Sequence, residues 1–110
     1  MKAADVYYNG SLAGELIQHA NNSYEFRYLD SWFTNDALPA ISLTLPKLAQ
    51  IYKSDHLFPF FFSLLSEGYN RKLQCRLLKI DEKDYFGLLL ATASADTIGP
   101  VTVVKKLHNQ

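Results

Sequence analysis

Apolar and polar positions alternate through the first thirty residues, and turn signals divide them into three segments. Residues 4–8 carry Val6, Tyr7 and Tyr8 and read as a strand. Asn9-Gly10 follows, a pair that tolerates positive φ at both positions and is the strongest short hairpin signal. Residues 11–18 return as a second strand, with Leu12, Leu16 and Ile17 as its apolar positions. After Asn21-Asn22, residues 23–29 alternate, with Tyr24, Phe26 and Tyr28 on one side and Glu25 and Arg27 on the other. A period of two marks a strand with one buried face. Residues 1–30 therefore predict a three-stranded meander. Trp32 and Phe33 fall in a short helical turn capped by Asp30 or Ser31, with Trp32 covering the meander. Residues 40–45 alternate again, placing Ile41, Leu43 and Leu45 together before Pro46, and predict a fourth strand. Residues 48–53 read as a short extended piece.

The most apolar stretch is residues 56–71, which reads as a helix. Pro59 suits a first turn, where its missing N–H costs nothing. Asp55 is placed to cap it, and Gly68 to stop it as C′. Phe58, Phe61, Phe62 and Leu65 repeat at i, i+3, i+4 and i+7, which is one buried stripe. Phe60 and Leu64 are left on a second face. A helix apolar on two faces is either fully enclosed or shared with a partner, and both readings fit. Tyr69 stands just past the glycine, where a side chain projects from the body. Residues 70–80 predict another helix, with Leu73, Leu77 and Leu78 on one face and Arg71, Lys72, Arg76 and Lys79 toward water. Asp81 caps a third, whose inner face is Tyr85, Leu88 and Leu89. Residues 100–105 form a last strand that pairs back onto the meander, and residues 106–110 a polar tail. The expected fold class is α+β: a small antiparallel sheet, an N-terminal meander plus a C-terminal strand, partly barrel-like, packed with about three short helices. Residues 1–110 read as a single domain.

Composition narrows the function classes. Lys plus Arg and Asp plus Glu number 11 each, a balance that argues against a nucleic-acid module built on phosphate neutralisation. No apolar run reaches the length of a membrane span, and the lone Cys75 suits a reducing compartment. The expected location is the cytoplasm. Aromatic residues make up 14%, a high share of the type that dominates both cores and binding hot spots. Catalytic signals are missing. His19, His56 and His108 lack metal-ligand spacing, and one cysteine cannot build a structural zinc site. There is no phosphate-binding glycine loop and no nucleophile elbow. Cys75, between Lys72 and Arg76, is read as a small packed hydrophobe. The expectation is a protein without catalysis, metal or cofactor.

Four segments, in order, resemble a known family. Val6-Tyr7-Tyr8-Asn9-Gly10 with Gly14-Glu15-Leu16 and Phe26-Arg27-Tyr28 is similar to the opening of HipA-type toxin kinases. Pro39-Ala40-Ile41-Ser42-Leu43-Thr44-Leu45-Pro46 resembles that family's P-x-S-L-S-L-P segment. Phe60-Phe61-Phe62-Ser63-Leu64-Leu65-Ser66-Glu67-Gly68 resembles its F-F-x-N-L-L-P-E-G. Leu88-Leu89 through Gly99-Pro100-Val101-Thr102-Val103 resembles the end of the same subdomain. The likeness spans residues 4–104. Ser66 departs from the usual proline and Pro100 from the usual alanine, which suggests a strand-start or edge position for Pro100.

In HipA-type kinases this segment is the first subdomain, with ATP-binding and catalytic residues after it. A chain ending at Gln110 resembles the separately encoded subdomain, HipS, of tripartite HipBST toxin–antitoxin systems. The resemblance implies an antitoxin that binds and inhibits a HipT-like serine/threonine kinase, with a HipB-like DNA-binding protein as a third member. Free-standing members of the family place an aromatic just after Glu-Gly, here Tyr69. The partner-binding residues so implied are Tyr69, Phe60, Leu64, Glu67, Gly68 and Arg71. The alternative from the residues themselves is a regulatory or ligand-binding module that forms a homodimer through the same aromatic face.

Overall fold

The computed structural model describes residues 2–65, 68–93 and 99–106. The meander is present: β1 (Lys2–Tyr8), β2 (Ser11–Gln18) and β3 (Tyr24–Tyr28) pair antiparallel in sequence. Asn9 and Gly10, at φ 50° and 84°, make the tight connection between the first two. A fourth strand, β4 (Ile51–Ser54), pairs with β3, and the last, β5 (Val101–Lys105), pairs with β1. The sheet is therefore ordered β4-β3-β2-β1-β5, all antiparallel. Pro100 immediately precedes β5, on an edge strand as its chemistry requires, and its carbonyl accepts from Asn9 N–H at 2.8 Å. Among the described residues, four short helices complete the α+β fold: α1 (Asp30–Phe33), α2 (Pro59–Phe62), α3 (Gly68–Leu78) and α4 (Tyr85–Thr92).

Register decides which side chains face the helices. Val103, Val6, Gly14 and Tyr28 lie in one row across four strands, and Ala4, Leu16, Phe26 and Tyr52 in the next. Against these rows pack Phe61 of α2 and Phe86, Leu88 and Leu89 of α4, all buried. Aromatic rings join the layers: Phe26 meets Tyr28 edge-on at 4.8 Å and Phe61 at 5.7 Å, and Tyr24 lies 6.4 Å from Phe86. Trp32 covers one end of the sheet as expected, packed on Tyr8 at 5.9 Å, with its indole N–H donated to the Pro39 carbonyl.

Several expectations from the sequence are corrected. Residues 40–45 are not a strand. Ser42 folds its hydroxyl onto the Thr44 N–H, and Leu45 N–H returns to the Ser42 carbonyl, a local turn that competes with ladder pairing. The Tyr28 hydroxyl then takes the place of a neighbouring strand, accepting from Ile41 N–H and donating to the Leu45 carbonyl. Ile41 and Leu45 are buried, whereas Leu43 is 98% exposed. The fourth strand falls instead at Ile51–Ser54, overlapping the short extended piece.

The long phenylalanine helix is also divided. Its first turn is α2, begun by Pro59 as predicted but with Phe58, not Asp55, at the N-cap. It closes at once, because Leu64 and Leu65 N–H groups bond three residues back and Ser63 turns its hydroxyl onto the Phe60 carbonyl. Breaking the helix lets Phe58, Phe61 and Leu65 all reach the core. Gly68 does not stop a helix; it begins α3. That helix ends where Ile80 N–H reaches the Cys75 carbonyl over Lys79 at φ 58°, the 6→1 closure of a Schellman motif. Lastly, Leu77 and Leu78 of α3 are exposed, so the predicted inner stripe is not its buried face; Cys75 is buried there instead. In α4 the cap is Asp84 rather than Asp81, and Phe86 joins Leu88 and Leu89 inside.

Candidate functional site

Of the predicted partner residues, Arg71 on α3 reaches α2, and the contact it makes there lies where α2 meets the start of α4. Closing α2 after one turn swings Phe62 away from the core stripe that its spacing implied, leaving it 36% exposed. Its ring stands edge-on to Tyr85, at the start of α4, at 5.3 Å. The Arg71 guanidinium, one turn into α3, lies 5.3 Å from the Phe62 ring centre. A cation over an aromatic face at a partly exposed site contributes about 0.5–1 kcal/mol.

Phe60 and Leu64 are half-buried and packed against the core, Phe60 edge-on to Phe61 at 5.2 Å. They are thus less open than a free second face would be. Gly68 and Tyr69 lie in the first turn of α3. Glu67 lies outside the described residues, as does the placement of the Tyr69 side chain. Phe62 and Tyr85 were not among the predicted residues. Helical spacing assigned both to inner faces; the break between α2 and α3 turns Phe62 outward, while Tyr85 stays half-buried against the core.

Beside this corner runs a cleft of about 710 Å³ between α3 and the turn that leads into α4. Arg71, Lys72, Arg76 and Lys83 line it with Asp81 and Glu82, and Cys75, Ile80 and Tyr85 supply its apolar part. Four cations against two carboxylates suit an acidic or polar segment of a partner. The described residues contain no group of three His, Cys, Asp or Glu placed to hold a metal ion, and no helix long and apolar enough to cross a membrane. The thiol of Cys75 is buried, so the lone cysteine packs as a small hydrophobe. What the corner offers is contact: an exposed aromatic ring, a guanidinium and a phenol on elements that pack on one core.

Comparison with known proteins gives this surface a context. Residues 4–104 match the family model described as the HipA N-terminal domain. A solved structure described as the N-terminal domain of HipA toxin superposes with a TM-score of 0.72 at 25% identity, covering 99% of this chain and 96% of that one. "Putative kinase Y4mE" of Sinorhizobium fredii is 26% identical over 89 residues, which are 81% of this chain; the chain spans only 21% of that protein's length. An uncharacterised protein of Haemophilus influenzae is 30% identical over 90 residues, 82% of this chain and 80% of that one.

Proposed function

The chain belongs to the HipA N-terminal domain family, and from that premise we propose that it is an antitoxin, binding a HipT-like serine/threonine kinase and inhibiting it without catalysis of its own. One observation carries the reading. The match covers residues 4–104 with the N-terminal domain, while a kinase-named relative contains the same domain as 21% of its length. A domain that belongs beside a kinase has a surface suited to one, and here it acts in trans, in the cytoplasm. A HipB-like DNA-binding protein completes the complex.

The inhibitory contact is the corner of α2, α3 and α4. Tyr69, in the first turn of α3, reaches toward the kinase active-site cleft and hinders its productive conformation. Phe60, Leu64, Glu67, Gly68 and Arg71 flank it. Arg71 already rests on Phe62, so this part of the corner is ordered before the partner arrives, which lowers the cost of binding.

The test is co-purification with the HipT-like kinase of the same genome, followed by kinase autophosphorylation with and without this protein. Wild type is expected to bind stoichiometrically and suppress the reaction. Tyr69→Ala should weaken binding by about 2–4 kcal/mol, the loss typical of a buried aromatic anchor. An unchanged affinity and unchanged inhibition would remove Tyr69 from the contact. A protein that ignores the kinase and instead shows a mass rising with its own concentration is a homodimer, and the antitoxin reading is then wrong.

A further inference from the structure

The segment between α1 and β4 contains no helix or strand, yet it is held along its length by side chains. The Trp32 indole holds the Pro39 carbonyl at 2.8 Å. The Tyr28 hydroxyl bridges Ile41 and Leu45, and the Tyr52 hydroxyl donates to the Pro46 carbonyl at 2.5 Å. Lys47 Nζ donates to the carbonyls of Asn35 and Leu38 at 2.7 and 2.9 Å. From this pinned loop Leu43 and Leu48 stand 98% and 89% exposed. A loose loop would fold such side chains inward. This one holds them in water, at a cost in apolar hydration that nothing among the described residues recovers.

Leu43 forms one wall of a groove of about 410 Å³, with Tyr8, Pro39, Ile41, Pro46 and Pro100 among the others. No lining residue carries a charge at neutral pH. The prolines offer no N–H, so the groove cannot recruit a partner by strand addition through them. An occupant must therefore be apolar, which excludes nucleic acid and acidic peptides. We infer that this rigid loop is a second contact of the same complex: the surface on which an apolar face of the kinase docks, supplying affinity while the Tyr69 corner supplies inhibition.

This inference rests on the kinase-binding reading above. The occupant is argued from the Sinorhizobium protein, of which the chain spans 21%, so that most of that longer chain lies outside the matched domain. In that longer chain the remainder is available to cover such a loop. A domain acting in trans presents the same loop to a separate partner. Because the loop is already ordered by Tyr28, Trp32, Lys47 and Tyr52, docking forfeits little conformational freedom.

Titration of the full chain against the HipT-like kinase of the same genome tests this. Leu43→Asp should raise Kd at least about 30-fold, the hot-spot range. Leu77→Asp is the comparison, an equally apolar change at a 71% exposed position on α3, and should leave Kd within about twofold, the range of an energetically neutral position. Hydrogen exchange on wild type needs no variant and should show slowed exchange at residues 42–48 when the kinase is added. If wild type binds and inhibits but Leu43→Asp binds as tightly and the loop exchanges unchanged, this inference falls and the antitoxin reading stands. If wild type fails to bind the kinase, both fall. If Leu43→Asp abolishes self-association of the free protein instead, the occupant is a second copy and the inference is overturned.

Discussion

Gly14 sits in β2 between Val6 of β1 and Tyr28 of β3. One residue earlier the β1–β2 register shifts, so that Gly14 pairs with Val6 but Leu12 with Tyr7, leaving Ala13 as an extra residue. The bulge brings the Gly14 Cα close to β3. A Cβ there would lie 2.5 Å from the Arg27 carbonyl and 2.9 Å from the Phe26 ring. The carbonyl cannot yield without breaking strand pairing, so Gly14→Ala is expected to cost about 1–3 kcal/mol, as overpacking does. Urea unfolding of the two proteins measures it. Nothing in the local pattern marks Gly14 as special. Its role follows from the ring of Phe26, a residue distant in sequence.

At the scale of elements, the short helices depend on their ends more than on their length. Helix α4 has eight residues and starts at Asp84, whose carboxylate accepts the Gly87 N–H at 2.9 Å. Asp84→Ala should cost about 1 kcal/mol, the usual worth of such a cap, and Asp84→Asn much less. Thermal melts of the three proteins give the order. Gly87 belongs to the same device: a Cβ there would meet the Asp84 carboxylate at 2.3 Å, so the cap occupies space a side chain would need. The apolar pattern of residues 56–71 was legible as helix-forming, and Pro59 as its start. Its division into α2 and α3 was not. Four phenylalanines and three leucines on a single rod could not all reach one core, and the chain breaks so that Leu57, Phe58, Phe61 and Leu65 do. The same break turns Phe62 out against Arg71 and Tyr85, which is why the corner could be only partly anticipated from spacing.

The whole molecule ties its sheet together with charges as well as apolar rows. Glu25 is a buried carboxylate on β3, accepting from Arg27 at 2.9 Å and paired with His19 at 3.2 Å. Burial alone would raise its pKa; the bonds from Arg27 and His19 more than offset that and hold it below the ordinary glutamate value. A carboxyl depressed in the folded state contributes stability above its unfolded pKa, near 4.3, and loses it as pH falls through the lower folded value. Glu25→Gln should therefore cost about 1–2 kcal/mol at pH 7, and the difference should close as pH falls below about 4. Chemical denaturation across pH 3–7 measures this window. At the other extreme, burial raises the Tyr24 and Tyr28 phenols. A hydrogen bond with Glu15, at 2.5 Å, raises Lys106. Groups raised in the folded state lose their contribution as pH climbs past their unfolded values, so the alkaline limb begins near about pH 10.

Short-range pattern determined a good part of this protein. The meander, its Asn-Gly connection, the start at Pro59, the final valine strand and the α+β class all depend on contacts between residues near in sequence, or on a period that one buried face imposes. Tertiary structure alone decided the rest. Residues 40–45 have the alternation of a strand, but their backbone partner is the phenol of Tyr28, and a side chain reaching across the fold leaves no trace in local periodicity. The outward turn of Phe62, the exposure of Leu43 and the close approach at Gly14 share that origin. Each is set by how much room the packed core leaves, and that is a property of all its residues together.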